Sequence, residues 1–414
     1  MSASPAGQPA SKRAEAYTYA TGTLNDAQTE LISFIIPLYA VALGLGPLEL
    51  GILVSAKSVL PSILSIHGGV LMDRYGTRLV MLLLGAACTL MPPLFIVATW
   101  FPALLLLQMA LGLAQSFGWI GAQALAVAVG KDNPRVLDRF SFFARVGVMV
   151  APTLAGAMWD FLPHWVSFVV IAVFGGGFWL AVRGLPPAAI GEVRDRDTPR
   201  PKFRLRDILP SLTDYIGAIG LMVIPVVAFV VVVSSVRIGT ALMQQSFYIV
   251  YLKEIGLQAT FIGLFVTLSQ MMAAAGTLTA SYVTRVIHPH WMFLGTVTTS
   301  VILIYATPVF GSTLAFLAIA IAVRGWAQGA SQPVMYTILS KAVSPETQAT
   351  SIGLRATGNR VAGMVLPIIM GAIAQHWGLA ATFFVTGGLL LLILAGCAIA
   401  IIGHQKPAQA QDRQ

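Results

Sequence analysis

Apolar runs of about 20 residues or more dominate this chain, separated by short breaks that carry Gly, Pro or charge. A helix needs about 20 mostly apolar residues to cross the hydrocarbon core of a bilayer. By that measure the pattern predicts twelve spanning helices, at roughly 20–43, 48–70, 79–100, 103–129, 138–161, 164–184, 222–252, 258–283, 290–311, 313–341, 347–373 and 379–402. Nothing in these runs alternates with the two-residue period of a transmembrane β-barrel, whose strands give no long apolar stretches. The expected fold is therefore an all-α membrane protein.

Composition agrees. Apolar residues make up 57% of the 414 residues and charged residues 10%. An ordinary soluble domain has about 25% charged residues. A soluble enzyme, a disordered chain and a fibrous repeat are excluded. The two cysteines, Cys88 and Cys397, lie far apart in apolar runs and imply neither a disulfide framework nor a metal cluster.

The net charge of +9 is unevenly placed. Basic residues flank the spans on the side that holds the N-terminus, among them Lys12, Arg13, Arg74, Arg78, Lys131, Arg135, Arg139, Arg183, Arg285 and Lys341. The opposite loops hold one, Lys253. Positive residues stay inside, so both termini are expected in the cytoplasm and the membrane is expected to be the inner one. The charge reports orientation, and no nucleic-acid partner is expected. The polar residues 1–19 read as a cytoplasmic tail with no signal peptide, and 403–414 as a second tail. Residues 185–221, with a basic stretch from Arg200 to Arg206, read as a cytoplasmic linker joining two six-helix halves, 20–184 and 222–402.

The halves echo each other. Residues Arg145 to Gly156 read R-V-G-V-M-V-A-P-T-L-A-G, and Arg360 to Gly371 read R-V-A-G-M-V-L-P-I-I-M-G. Six positions match at one offset, including Arg145/Arg360, Pro152/Pro367 and Gly156/Gly371. Six spans per half keep the orientation, so the repeat is parallel. Repeats of this kind hold a substrate site near the bilayer midplane.

The loop after the second span reads G-V-L-M-D-R-Y-G-T-R, from Gly69 to Arg78. With the repeat, it resembles the cytoplasmic signature of the major facilitator superfamily, with Gly69, Asp73, Arg74, Gly76 and Arg78 at the expected positions. The resemblance covers the whole chain. It implies twelve helices in two parallel six-helix repeats, alternating access, and a conformational latch in this loop. Gly147, Pro152 and Gly156 resemble the family's antiporter-associated helix 5 motif, with Ala151 and Ala155 replacing two of its glycines. Gln108 stands where many members carry an Arg in the fourth span, and Arg324, near Gln328, offers a similar feature in the tenth.

Ionisable groups at membrane depth are costly and mark function by default. Six bases qualify: Lys57, Arg145, Arg237, Arg324, Arg355 and Arg360. Two acids qualify, Asp26 and Glu30, one helical turn apart in the first span. Burial favours a protonated carboxyl and a nearby base favours a carboxylate, so alternating surroundings make Glu30 a proton carrier, with Asp26 next in line. A structural ion pair with Lys57 or Arg145 is the alternative. Lys57, Arg145, Arg237, Arg324 and Arg360, with Trp119, Gln244, Tyr248 and Gln328, are the candidate cavity residues. Arg355 reads as a topology residue.

No phosphate-binding loop and no metal-binding helix occur. The chain is expected to be a monomeric secondary transporter and not an enzyme, with no cofactor or metal, driven by the proton gradient. Two solutes compete. The loop and helix 5 motifs favour export of organic compounds by proton antiport; the excess of intramembrane bases favours a small organic anion. A membrane sensor without transport is a remote third reading.

Overall fold

The computed structural model describes residues 12–131, 133, 135–186, 220–311, 313–343 and 345–411, with side chains described at all of these except 65–70, 73, 74, 221, 345–350 and 402–411. The described elements are helical: α1 (Lys12–Ala42), α2 (Pro47–Tyr75), α3 (Thr77–Val97), α4 (Phe101–Val129), α5 (Arg135–Phe161), α6 (His164–Gly184), α7 (Pro225–Gln245), α8 (Phe247–Glu254), α9 (Ala259–Val283), α10 (Pro289–Tyr305), α11 (Thr307–Phe310), α12 (Leu314–Ala342) and α13 (Pro345–Gln411), with one 3-10 turn at Leu221–Val223. Among the described residues, nine stretches are long and apolar enough to cross a membrane by length and composition. One of these, Ser351–Ile401, contains two helices, because Gly378 (φ 84°) breaks α13. With α7–α8 and α10–α11 each taken as one crossing, and α1 included, the described helices give the twelve crossings expected. The linker residues 187–219 and the tail residues 1–11 lie outside the described residues.

Two of the crossings are interrupted. The run expected at 222–252 breaks at Ser246 (φ −133°, ψ −91°), whose hydroxyl donates to the Leu242 carbonyl (2.5 Å). The run expected at 290–311 breaks at Ala306. The first has no Gly or Pro beside it, so the apolar pattern reads straight through; the second has Pro308 in the first turn of the helix that follows.

The chain divides into two compact units, Met1–Ile35 with Ala56–Pro210, and Ile36–Ser55 with Ser211–Gln414. In the first, small residues bring helix backbones together. A side chain at Gly112 of α4 would collide with the Lys57 backbone of α2, and one at Gly175 of α6 with the Cys88 backbone of α3. In a membrane, where lipid tails are as apolar as Leu, such close backbone approach is what favours helix pairing. In the second unit, Gly325 and Gly329 of α12 meet the backbone of α9 at Ser269 and Ala273, and Gly276 of α9 meets α12 at Trp326. The early turns of α2 belong to this unit too: Gly51 lies against the Pro367 carbonyl, and Gly371 against Pro47 and Leu48.

Candidate functional site

In the first unit the polar residues of α1 divide between two faces. Asn25 and Gln28 are buried and act as packing groups. Asn25 Nδ2 donates to the Gln115 carbonyl of α4 (3.3 Å), and Gln28 Nε2 donates to the carbonyls of Cys88 (2.6 Å) and Ile171 (3.0 Å). These bonds tie α1 to α3, α4 and α6. On another face stand Asp26, Glu30 and Ser33. Lys57 Nζ of α2 donates to Ser33 Oγ (2.6 Å), and Ser33 Oγ in turn donates to the Thr29 carbonyl (2.6 Å). Asp26 and Glu30 are half-buried, and the charges of Lys57 and Arg145 act on both carboxyls. Among the described residues, no ion pair within 4.0 Å joins Lys57 to either acid. Lys57 is parked on a neutral hydroxyl one turn from Glu30. The cluster therefore holds two acids and two bases in mutual electrostatic reach without direct pairing, an arrangement that can gain or lose a proton without breaking a salt bridge.

The second unit is built differently. Its carboxylates stand at helix ends: Glu49 in the first turn of α2 accepts from the Gly46 N–H (2.8 Å), and after residue 222 the only acids are Glu254, Glu346 and Asp412. Arg324 of α12 is 1% exposed. Its Nη2 donates to Gln244 Oε1 of α7, in a short contact, and to Ser269 Oγ of α9 (3.2 Å). Its Nε and Nη1 are buried with no hydrogen-bond partner. Tyr248 and Tyr305 lie within its electrostatic reach, one just past the Ser246 break and the other just before the Ala306 break. Interrupted helices flank this guanidinium on two sides, as substrate sites in transporters use them. An unmatched Arg at membrane depth costs about 3 kcal/mol or more, so an arrangement with two idle donors is expensive unless something fills it.

Polar groups continue from Arg324 along α7 and α12. Gln328 Nε2 donates to Thr240 Oγ1 (2.9 Å), and Thr240 Oγ1 donates to the Arg237 carbonyl (2.7 Å). At the far end of this ladder, the charge of Arg355 of α13 acts directly on Arg237 of α7. Arg355 is 9% exposed. Its Nη2 donates to Tyr336 Oη (3.3 Å), and its guanidinium lies 5.2 Å from the centre of that ring. Asn359, with its amide turned as its neighbours require, accepts from Arg355 Nη1 (3.1 Å) and donates to the Ser234 carbonyl and hydroxyl (3.3 Å each). Gly358 makes this possible: its Cα faces Val231 and Ser235 so closely that an added Cβ would lie 3.1 and 3.3 Å from them. Arg355 and Ser234 are thus the buried members of a cluster in which Arg237 and Asn359 are half-buried and Tyr336 is exposed.

The remaining sequence candidates take their places as follows. Trp119 stacks on Phe140 (5.7 Å) against the apolar core of the first unit. Arg145 is exposed and Arg360 half-buried, on α5 and α13 respectively. Gly147 packs on the Thr23 carbonyl of α1, Gly156 is buried, and Pro152 lies inside α5. Gly76 takes φ 91° between α2 and α3, a conformation only Gly adopts freely. Arg78 Nη2 donates to the Arg183 carbonyl (2.8 Å) in the last turn of α6, where a cation suits the helix dipole. Gly69 lies within α2, and the side chains of Asp73 and Arg74 fall outside the described ones. Sequence reasoning did not single out Ser269, Tyr305, Tyr336 or Asn359. Tyr336 and Asn359 had a signal, their i, i+4 relation to Gln332 and Arg355; Ser269 and Tyr305 have apolar residues four positions away on either side and had none.

The family profile described as the Major Facilitator Superfamily matches residues 18–250 and 235–414. Among solved structures, the chain is similar to the nucleoside transporter NupG (15% identity, TM-score 0.76, covering 94% of this chain and 98% of that one). It is also similar to a bacterial homologue of the human lysosomal transporter Spinster, inward-facing and occupied (15%, 0.72, 95% and 97%). A bacterial homologue of the iron transporter ferroportin, inward-facing, is a third (16%, 0.67, 94% and 98%). A comparison with curated proteins gives no match. At these identities the likeness is one of fold, and the profile spans nearly the whole chain: this multi-pass membrane protein belongs to the major facilitator superfamily of transporters.

Proposed function

We propose that the chain is a proton-coupled secondary transporter of a small organic anion, working as a monomer by alternating access in the cytoplasmic membrane with both termini inside. The observation that carries this reading is Arg324: a buried guanidinium with two idle donors, on a helix without an acid, in a unit whose helices carry acids at their ends alone. Arg does not shed its proton at any working pH, so a charge this deep calls for an anion. A carboxylate would fit two N–H groups of the guanidinium in one plane. Tyr248, Gln244 and Ser269 add hydroxyl and amide groups around it.

Proton coupling is assigned to Glu30, with Asp26 beside it. A proton or solute shifts a conformational equilibrium only through unequal affinity for the two states. Glu30 meets that need if Lys57 moves between Ser33 and the carboxylate as the protein changes state. The rival reading, antiport of organic compounds, rested on the 69–78 loop and the helix 5 glycines. Arg78, Gly76 and Gly147 are engaged in helix packing here, which accounts for those residues without a substrate preference.

Uptake into proteoliposomes under an imposed pH gradient tests the proposal, with benzoate, lactate and succinate set against tetraphenylphosphonium. Gradient-driven accumulation of a carboxylate, lost in Glu30→Gln, is expected. Movement of the lipophilic cation alone would overturn it.

A further inference from the structure

We infer that Arg237 and Arg355, with Tyr336, Asn359 and Ser234, form a second anion-binding site in the C-terminal unit, separate from Arg324 and suited to an oxyanion of two negative charges. The inference rests on the anion reading above and adds to it a second place and a charge.

Two like charges act on each other at membrane depth, where each is already expensive alone. The helices that carry them hold no acid at depth: α7 has none, and in α13 no Asp or Glu occurs between Glu346, in its first turn, and Asp412. The hydrogen bonding is as incomplete as the charge. Two guanidiniums carry five donors each. Arg355 finds one acceptor in Tyr336 and one in Asn359, and its Nε is buried without a partner. Arg237 makes no side-chain hydrogen bond among the described residues, and its Nε is likewise buried and unpartnered. A membrane protein selected only for stability would not keep this pair. Replacing either Arg with an uncharged residue would remove repulsion and desolvation together.

The supporting shell is ordered around the pair. The Tyr336 ring backs Arg355, and Asn359 holds it from the other side while being held by Ser234. Gly358 lets α13 close on α7 at Val231 and Ser235, within two turns of Arg237 on the same helix. Adjacent planar forks suit a dicarboxylate or a phosphate group, each of which offers two or more oxygens to each fork. One negative charge would leave one guanidinium unmatched; two match both.

The site is also separate from the first. Arg237 and Gln244, which touches Arg324, are seven residues apart on α7, roughly 10 Å along the helix. Thr240 and Gln328 stand between them. A solute leaving Arg324 along α7 would meet hydroxyl and amide groups and then a pair of positive charges.

Isothermal titration of the full-length protein in nanodiscs, using succinate and inorganic phosphate with acetate as control, tests this. Wild type is expected to take up at least one of the two dianions at two sites per chain. Arg237→Gln and Arg355→Gln should each weaken one of those sites at least tenfold and leave the other, whereas Arg324→Gln should remove the other and leave this one. Arg237→Lys, which keeps charge without the fork, should recover part of the loss. The thermal midpoint without ligand should stay level or rise in Arg237→Gln. Unchanged two-site binding in both Arg237→Gln and Arg355→Gln would overturn the inference while leaving the anion reading intact. Loss of both sites in Arg324→Gln alone would do the same. A fall of the ligand-free midpoint in Arg237→Gln with dianion binding retained would make the pair structural, and wild type that binds neither dianion would also overturn the inference. If carboxylates fail in the transport assay above while this site still titrates, the anion reading fails and the site stands.

Discussion

The two units of this transporter solve the problem of intramembrane charge in opposite ways. The first brings two acids and two bases within electrostatic reach of one another around α1 and leaves them unpaired, with Lys57 on the Ser33 hydroxyl. The second places arginines on α7, α12 and α13, Arg237 half-buried and Arg324 and Arg355 buried, in helices whose acids stand at their ends. A mixed cluster can change its protonation with little net cost, because a lost charge is balanced by a neighbour. An all-basic cluster cannot, since arginine keeps its proton, and it must borrow negative charge from outside the chain. Under the proposed function the difference becomes a division of labour: protons are moved by one unit and anions held by the other.

Four substitutions break or sharpen that comparison. Glu30→Gln should have the largest effect, abolishing gradient-driven accumulation in proteoliposomes while counterflow exchange continues. Uphill transport with ordinary pH dependence in this variant would move coupling to Asp26 or elsewhere. Arg324→Gln should weaken anion binding about 100-fold, the scale of removing one partner from a buried hydrogen-bonded charge pair. Near wild-type affinity by titration would remove Arg324 from the site. Gly329→Val should act on the fold alone. Its side chain meets the Ala273 backbone and would force α12 from α9, at a cost of about 1–3 kcal/mol read as a lowered thermal midpoint. An unchanged midpoint would mean that this helix contact is looser than described. Ser33→Ala should have the smallest effect. It frees Lys57 from its hydroxyl and should shift the pH dependence of transport with little change in maximal rate. An identical pH profile would show that the Lys57 anchor is idle.

Much of this was legible in the sequence, for identifiable reasons. A spanning helix needs one property, an apolar run, and each of the twelve predicted runs found its helix. The stretch 69–78 reads as a loop, but α2 runs on to Tyr75 and α3 begins at Thr77, so the break is Gly76 alone, at positive φ, with Arg78 reaching the end of α6. The membership of the charged cluster on α1 followed from spacing, since Asp26 and Glu30 share a face. What could not be read was partnership between helices. Spacing does not say that the amides of Gln28 and Asn25 reach backbone carbonyls of α3, α4 and α6. Trp119 looks like a binding aromatic until Phe140 is seen against it. Arg355 reads as an interface residue by its distance from the helix end, and only Gly358 reveals why it lies inside. The break at Ser246 leaves no Gly or Pro signal and that at Ala306 leaves Pro308 two residues on, and Tyr248 and Tyr305 beside them lie within electrostatic reach of Arg324.

The division of labour is tested most directly by one measurement: carboxylate-induced thermal stabilisation of the purified protein, compared between Glu30→Gln and Arg324→Gln at one pH. The account predicts a wild-type shift in Glu30→Gln, whose anion site is untouched, and none in Arg324→Gln. Loss of stabilisation in Glu30→Gln with retention in Arg324→Gln would place the anion in the first unit and contradict it.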